Sequence, residues 1–204
     1  MRIAIKLALA ALAAMGITML APAYAADKGG PKIANIFDDA PVGPSKYNWT
    51  GCYAGGGIQK MSASTDIGFG ADGYGMGLLG GCDVQLGVLV LGAFGDYDWK
   101  HVTQFGGVNL REWSFGGRAG VTLSNATLIY ALVSRPTLNV NTFNVSTTGI
   151  GVGGGIETMI TPHIAIGLEY RHNDWSNLAP APVNAREDVV GVRLTARVNF
   201  FSGK

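Results

Sequence analysis

The sequence predicts an all-β fold, an eight-stranded antiparallel up-and-down β-barrel that spans a membrane. Three observations predict it. From Val190 to Phe200 every even position is apolar, while the odd positions are Gly, Arg, Thr, Arg and Asn. Successive strand side chains point to opposite faces, so this segment has one greasy face and one charged face. Similar alternation recurs along the chain in segments of about 10 residues, long enough to cross a bilayer when tilted. Finally, the chain opens with the three-part pattern of an export signal.

That pattern occupies residues 1–25. Arg2 and Lys6 supply a positive start, Leu7 to Leu20 an apolar run of 14 residues, and Ala23-Tyr24-Ala25 a small-x-small cleavage site. The run is short of the ~20 residues that a transmembrane helix needs, so cleavage after Ala25 is expected. Of the 15 basic residues Arg2 and Lys6 then leave, which sets 13 against 14 acidic and a net charge of −1 on residues 26–204. With no basic patch, nucleic acid is not expected as a partner. No other apolar run is long enough for a helix to span, so any insertion is by strands. The 31 glycines do not signal disorder, because 48% of the chain is hydrophobic.

Residues 26–48 carry Pro31, Pro41 and Pro44 with no sustained period, and read as a flexible periplasmic segment. The barrel is expected over 49–201, with a short tail at 202–204. Its first strand is Trp49–Lys60, with Cys52, Ala54, Gly56 and Ile58 on one face. The second is Tyr74–Gln85, carrying Tyr74, Met76, Leu78, Cys82 and Val84 together. In the third, Val88–Trp99, Leu89, Leu91, Ala93, Tyr97 and Trp99 share a face. Trp113, Phe115, Ala119, Val121 and Leu123 do so in the fourth, Asn109–Leu123. The fifth, Thr127–Leu138, is apolar on both faces and its orientation stays open. The sixth is Gly149–Thr158, with Ile150, Val152 and Ile156 outward. The seventh is His163–Trp175, with Ile164, Ile166, Leu168 and Tyr170 outward, and the eighth is Asp188–Phe201.

Connections alternate between short turns, at Leu86-Gly87, Asn125-Ala126 and Thr161-Pro162, and long loops at 61–73, 100–108, 139–148 and 176–187. Outer-membrane barrels combine short periplasmic turns with long outward loops, and an even strand count returns both chain ends to the periplasmic side. Aromatics near strand ends (Trp49, Trp99, Trp113, Trp175, Phe200 and Phe201) are read as interfacial girdles. The competing fold is a soluble sandwich or periplasmic binding barrel, which would turn the greasy faces inward and the charged faces to water.

The faces opposite the apolar ones carry Asp83, Asp96, Glu112, Arg118, Glu157, Glu169, Arg171, Arg193 and Arg197, five carboxylates against four guanidinium groups. Facing lipid, each would cost up to several kcal/mol near the midplane; facing inward, they can pair. An eight-stranded barrel is only wide enough for its own side chains, so a salt-bridge plug is expected in the lumen, with Arg forks gripping carboxylates. A narrow gated channel is the alternative.

Several motifs invite a functional reading. With Lys60 opposite Tyr74 in the first hairpin, Cys52 falls opposite Cys82 on the same face. These are the only cysteines, and export favours a disulfide; two unpaired lipid-facing thiols remain the other reading. Gly75-Gly77-Gly80 and Gly149-Gly151-Gly154 match G-x-G-x-x-G, but neither opens the helix that dinucleotide binding needs. His172, Asp174 and Ser176 would be the makings of a lipid-modifying hydrolase, and His101 with His172 of a haem clamp, but local spacing alone makes neither. No catalytic residue, metal ligand or cofactor is expected.

The stretch Tyr47-Asn48-Trp49-Thr50-Gly51-Cys52-Tyr53-Ala54-Gly55-Gly56-Gly57 resembles the W-T-G-F-Y-x-G-G opening of the small porin-like outer-membrane barrels of alphaproteobacteria, which are OmpA/OmpX-like in build. Gly92-Ala93-Phe94-Gly95-Asp96-Tyr97 resembles their G-x-E-G-D-Y strand, and the last strand is similar to theirs, which stops at a terminal aromatic. The chain departs where Cys52 replaces the family's Phe and where Ser202-Gly203-Lys204 follow Phe201. The resemblance covers roughly residues 47–201. It implies a surface-exposed structural protein, in some members a pore or ligand binder, with no catalytic site. A wall-binding domain after the barrel, as in larger OmpA-type proteins, is not expected. The expected location is the bacterial outer membrane. The expected partners are its lipids and lipopolysaccharide, and the barrel-assembly machinery during biogenesis.

Overall fold

The computed structural model describes residues 47–104, 108–124, 126–140, 145–178 and 183–198. The expected signal peptide, nearly all of the N-terminal segment, Phe200, Phe201 and the tail lie outside the described residues. Within them every element is a strand: β1 (Gly51–Thr65), β2 (Gly70–Leu86), β3 (Leu89–Val102), β4 (Val108–Ser124), β5 (Thr127–Val140), β6 (Val145–Thr148), β7 (Ile150–Thr161), β8 (Ile164–Leu178) and β9 (Val183–Val198).

All pairings are antiparallel, and neighbours in sequence are neighbours in space. β1 pairs with both β2 and β9, and β4 pairs with β5, so the sheet closes on itself without a free edge. β6 and β7 are two halves of one stave. Both pair with β5 in one continuous register, Thr137 opposite Thr148 and Ser134 opposite Gly151. The break falls where Pro136, which has no N–H to donate, faces Gly149; only the Gly149 N–H to Pro136 carbonyl bond remains, at 2.8 Å. The closed wall therefore has eight staves.

The apolar faces point out and the charged faces point in. Ile58, Met76, Leu78, Phe115, Val152 and Leu194 are exposed, while Asp83, Glu112, Arg118, Glu169 and Arg197 are buried. A soluble sandwich requires the reverse, and so large an apolar exterior suits only lipid. β5 faces outward with Ile129 and Val133 and inward with Leu128, Tyr130 and Leu132. These three join Trp49, Tyr53, Val90, Phe94, Met159 and Ala165 in an apolar cluster that floors the lumen at its turn end. A smaller cluster of Met61, Val102 and Val189 lies towards the loop end.

The connections correct one expectation. The turns are short, with Gly87 supplying a positive φ of 63°. The strands run on past their expected ends: β1 reaches Thr65 and β2 begins at Gly70, so 66–69 separates them where 61–73 was expected, while β3 reaches Val102, β5 Val140 and β8 Leu178, and β9 begins at Val183. Strands of 15 to 17 residues extend roughly 50 Å, so at a tilt near 45° the wall stands about 35 Å tall against an apolar band of about 25 Å. The hairpins rise past the membrane as paired strands.

Candidate functional site

Parity alone decides what enters the lumen. On β2, β3, β5 and β9 it sends Asp83, Asp96, Tyr130, Arg193 and Arg197 inward, and on β4, β7 and β8 it does the same for Glu112, Arg118, Glu157, Glu169 and Arg171. The structure gathers them into three tiers.

The tier nearest the turns centres on Asp83. Arg118 grips it with both forks, Nε to Oδ1 at 2.9 Å and Nη2 to Oδ2 at 2.6 Å, and Arg197 donates to the same Oδ2. The remaining Arg118 nitrogen, Nη1, donates to Glu157 Oε2 at 2.9 Å, while the Thr195 hydroxyl donates to Glu157 Oε1 at 3.2 Å. Aromatic faces cover the guanidinium groups: Arg118 lies 4.6 Å from the Tyr53 centroid and Arg197 lies 4.7 Å from that of Trp49.

In the middle tier Arg171 donates to Asp96 Oδ2 at 2.8 Å and to Glu169 Oε1 at 2.9 Å. Arg193 meets Glu169 at 2.5 Å and Asp96 at 3.8 Å. The Tyr130 hydroxyl donates to the other Glu169 oxygen at 2.8 Å. The third tier, towards the loops, has a single cation: Lys100 Nζ donates to Glu112 at 2.7 Å and to Glu187 at 2.8 Å, with Asn173 also on Glu187 at 3.1 Å. Asp98 is buried beside them.

All nine charged residues singled out in the sequence thus lie on the lumenal side, each in at least one ion pair. Sequence reasoning missed Lys100 and Glu187 because the expected strands stopped short of them, at Trp99 and Asp188; Asn173 lay within the expected seventh strand and shares the inward parity of Glu169 and Arg171. Asp98 carried a usable signal, since it follows Asp96 by two positions and so shares its face. Among the described residues, two cavities between these side chains measure about 10 and 20 Å³, the size of a single water.

The backbone makes room for this filling. A Cβ at Gly81 would lie 2.6 Å from the Tyr53 hydroxyl, and one at Gly155 would lie 2.7 Å from that of Tyr130. Only glycine lets those two phenols lie flat over the neighbouring strand, where Gly81 and Gly155 are their register partners.

Other singled-out residues fall elsewhere. Cys52 and Cys82 are register partners and are joined in a disulfide on the outward face. Trp99 and Trp113 are exposed, at 43% and 41%, but Trp49 and Trp175 are 0% and 3% exposed and face inward. These two are corrections to the girdle expected from position alone. Both are odd-numbered beside strands whose even positions face out, so parity had already turned them in. Among the described residues no cluster of His, Cys, Asp or Glu fits a metal ion. His172 bonds Asp188 Oδ1 at 2.7 Å on the outer face, and no hydrogen bond joins it to Ser176. His101 stands on β3, four staves from His172 on β8, so the two do not converge on a haem.

Comparison with known proteins agrees with this architecture. The family described as the outer membrane protein β-barrel domain matches residues 8–200. A 22 kDa outer membrane protein of Rhizobium leguminosarum bv. viciae is 33% identical over 152 residues, 68% of this chain and 70% of that protein. Among solved structures, Neisserial surface protein A shares the fold at a TM-score of 0.50 and 21% identity, covering 71% of this chain and 96% of its own. Ail, the attachment invasion locus protein of Yersinia pestis, aligns at 0.47 and 13% identity over 72% of this chain and 99% of its own. The chain belongs to the outer membrane protein β-barrel family, and its place is the bacterial outer membrane.

Proposed function

We propose that this protein is a non-enzymatic structural barrel, closed to solutes by its own side chains, that presents its hairpins on the cell surface. The observation that carries the reading is the lumen itself. Among the described residues, three tiers of paired charges above an apolar floor enclose two cavities of about 10 and 20 Å³. A solute path would require several buried ion pairs to part together, and each broken pair strands a charge at a cost of about 3–5 kcal/mol. The expected export signal and the even stave count support an orientation with turns in the periplasm and hairpins outside.

Two measurements test this. Proteoliposomes holding the refolded protein should not swell in isotonic arabinose above the protein-free rate, and swelling that scales with protein content would favour the channel reading. An epitope inserted between Ile67 and Gly68 should bind antibody on intact cells, and access only after permeabilisation would reverse the orientation.

A further inference from the structure

The hairpin that opens the barrel is the one whose register its side chains specify least. Nine of the 14 β1–β2 register pairs contain a glycine, among them Gly57 opposite Gly77, against four of 14 between β1 and β9 and two of 13 between β8 and β9. Cross-strand side-chain pairs hold a ladder in register, and Gly-rich strands are prone to slip. A slip of one residue would turn Asp83 to lipid, whereas a slip of two keeps every face and is the easier error. Two residues still move Asp83 roughly 7 Å along the wall, away from the Arg197 that it meets from β9, on the far side of β1.

One β1–β2 pair cannot slip. Cys52 and Cys82 are register partners joined by a disulfide, one residue before Asp83. In the finished barrel the bridge lies on the outward face. Val84 and Leu86 are exposed on its turn side, Val198 is exposed beside it as the β9 partner of Cys52, and Leu78, Met76 and Ile58 are exposed on its loop side. The sulfurs therefore sit within the apolar band. Thiol–disulfide exchange needs a thiolate that attacks a disulfide sulfur. Against acyl chains the thiolate is disfavoured and a soluble reagent is excluded. Reaching the outer membrane takes the chain through the periplasm, where disulfides form.

We propose that the Cys52–Cys82 bridge is a register staple, closed in the periplasm before the barrel inserts by a soluble protein that carries a reactive disulfide. One cysteine thiolate attacks the donor's disulfide and forms a mixed disulfide with it. The other cysteine then displaces the donor. The two electrons and the two thiol protons leave with the donor as a dithiol, and the chain keeps one S–S bond. β1 thus enters the membrane with its β2 edge fixed and its β9 edge left for closure.

The order of events is tested on the wild type. Pulse-labelled cells are extracted in detergent with N-ethylmaleimide, and the folded, heat-modifiable gel band is separated unheated from the unfolded one. Each band is denatured with maleimide still present, reduced, and tagged with a maleimide polymer, so that only bridged cysteines gain mass. The bridge should already be present in the unfolded band, and no reduced chain should enter the folded one. Reduced folded chains that become bridged with time would overturn the order. In vesicles, dithiothreitol should leave the folded barrel bridged and reduce it only once urea unfolds it; reduction of the folded barrel at the unfolded rate would overturn the shelter. The staple is tested by assembly rate, which a bridge that merely stabilised the finished barrel would not change. Cys52→Ser/Cys82→Ser should slow appearance of the folded band about threefold or more, since the Gly-rich pairing is then free to slip. Adding Ala54→Cys/Gly80→Cys, register partners on the same outward face, should restore the wild-type rate, and adding Ala54→Cys/Leu78→Cys, two residues out of register, should not. Wild-type assembly without any bridge, or equal rescue by both pairs, would overturn the staple.

Discussion

Asp83 is the residue on which most of the lumen depends. It accepts from two arginines on opposite sides of the barrel, β4 and β9, and thereby ties the closing strand to the middle of the chain. Replacing it with Ala strands Arg197 and leaves Arg118 with Glu157 alone, so Asp83→Ala should cost about 3–5 kcal/mol, read as a lower urea midpoint for loss of the folded band. Asp174→Ala, which breaks an exposed pair with Arg186, should cost less than about 1 kcal/mol in the same assay. Glycine matters here by what it leaves out. Gly81→Val would drive a side chain into the Tyr53 ring that covers Arg118, and overpacking of this kind costs about 1–3 kcal/mol. The inward position of the nine charged residues was legible, because period-2 alternation fixes a side chain's face once its strand is known. Their partners were not legible. Arg171 reaches Asp96 across the barrel, and nothing in local spacing encodes a contact between residues 75 apart.

At the level of elements, the staves were legible wherever one face meets lipid and faded where both faces meet water. β1 shows the change. Through Ile58 its outward positions are apolar or small, but from Lys60 they are Lys60, Ser62 and Ser64, while Met61 still points inward. The alternation that marks a strand is lost above the membrane although the hydrogen-bonded ladder continues, so hairpin stems read as loops. β5 was ambiguous for the opposite reason: its inward face joins the apolar floor, leaving both faces greasy. Each stave carries its own prediction. Leu194 on β9 faces lipid, so Leu194→Arg should destabilise the barrel by roughly 2–4 kcal/mol if it lies near the midplane, by the same urea assay in phospholipid vesicles. The Cys52–Cys82 bridge spans a sequence separation of 30, for which loop-closure entropy assigns about 3.6 kcal/mol. Reduction with dithiothreitol should lower the urea midpoint of the wild type and leave a Cys52→Ser/Cys82→Ser variant unchanged.

For the whole molecule the arrangement is a globular protein turned inside out. Its apolar surface is outermost, its charges are innermost, and closure of β1 on β9 leaves no edge strand to pair with another chain. An ordinary core would be apolar throughout. Here the wall is too narrow to hold water in bulk, and the charges that cannot face lipid pair with one another in its place. Net charge in the tiers is balanced near the turns and in the middle, while towards the loops Lys100 serves Glu112, Glu187 and the neighbouring Asp98. Single-channel recording in a planar bilayer tests closure of the lumen most directly. The wild-type barrel, inserted and verified as folded, should give no stable conductance steps, whereas an Asp83→Ala/Asp96→Ala variant should give brief openings. Reproducible steps of uniform size from the wild type would contradict the sealed lumen.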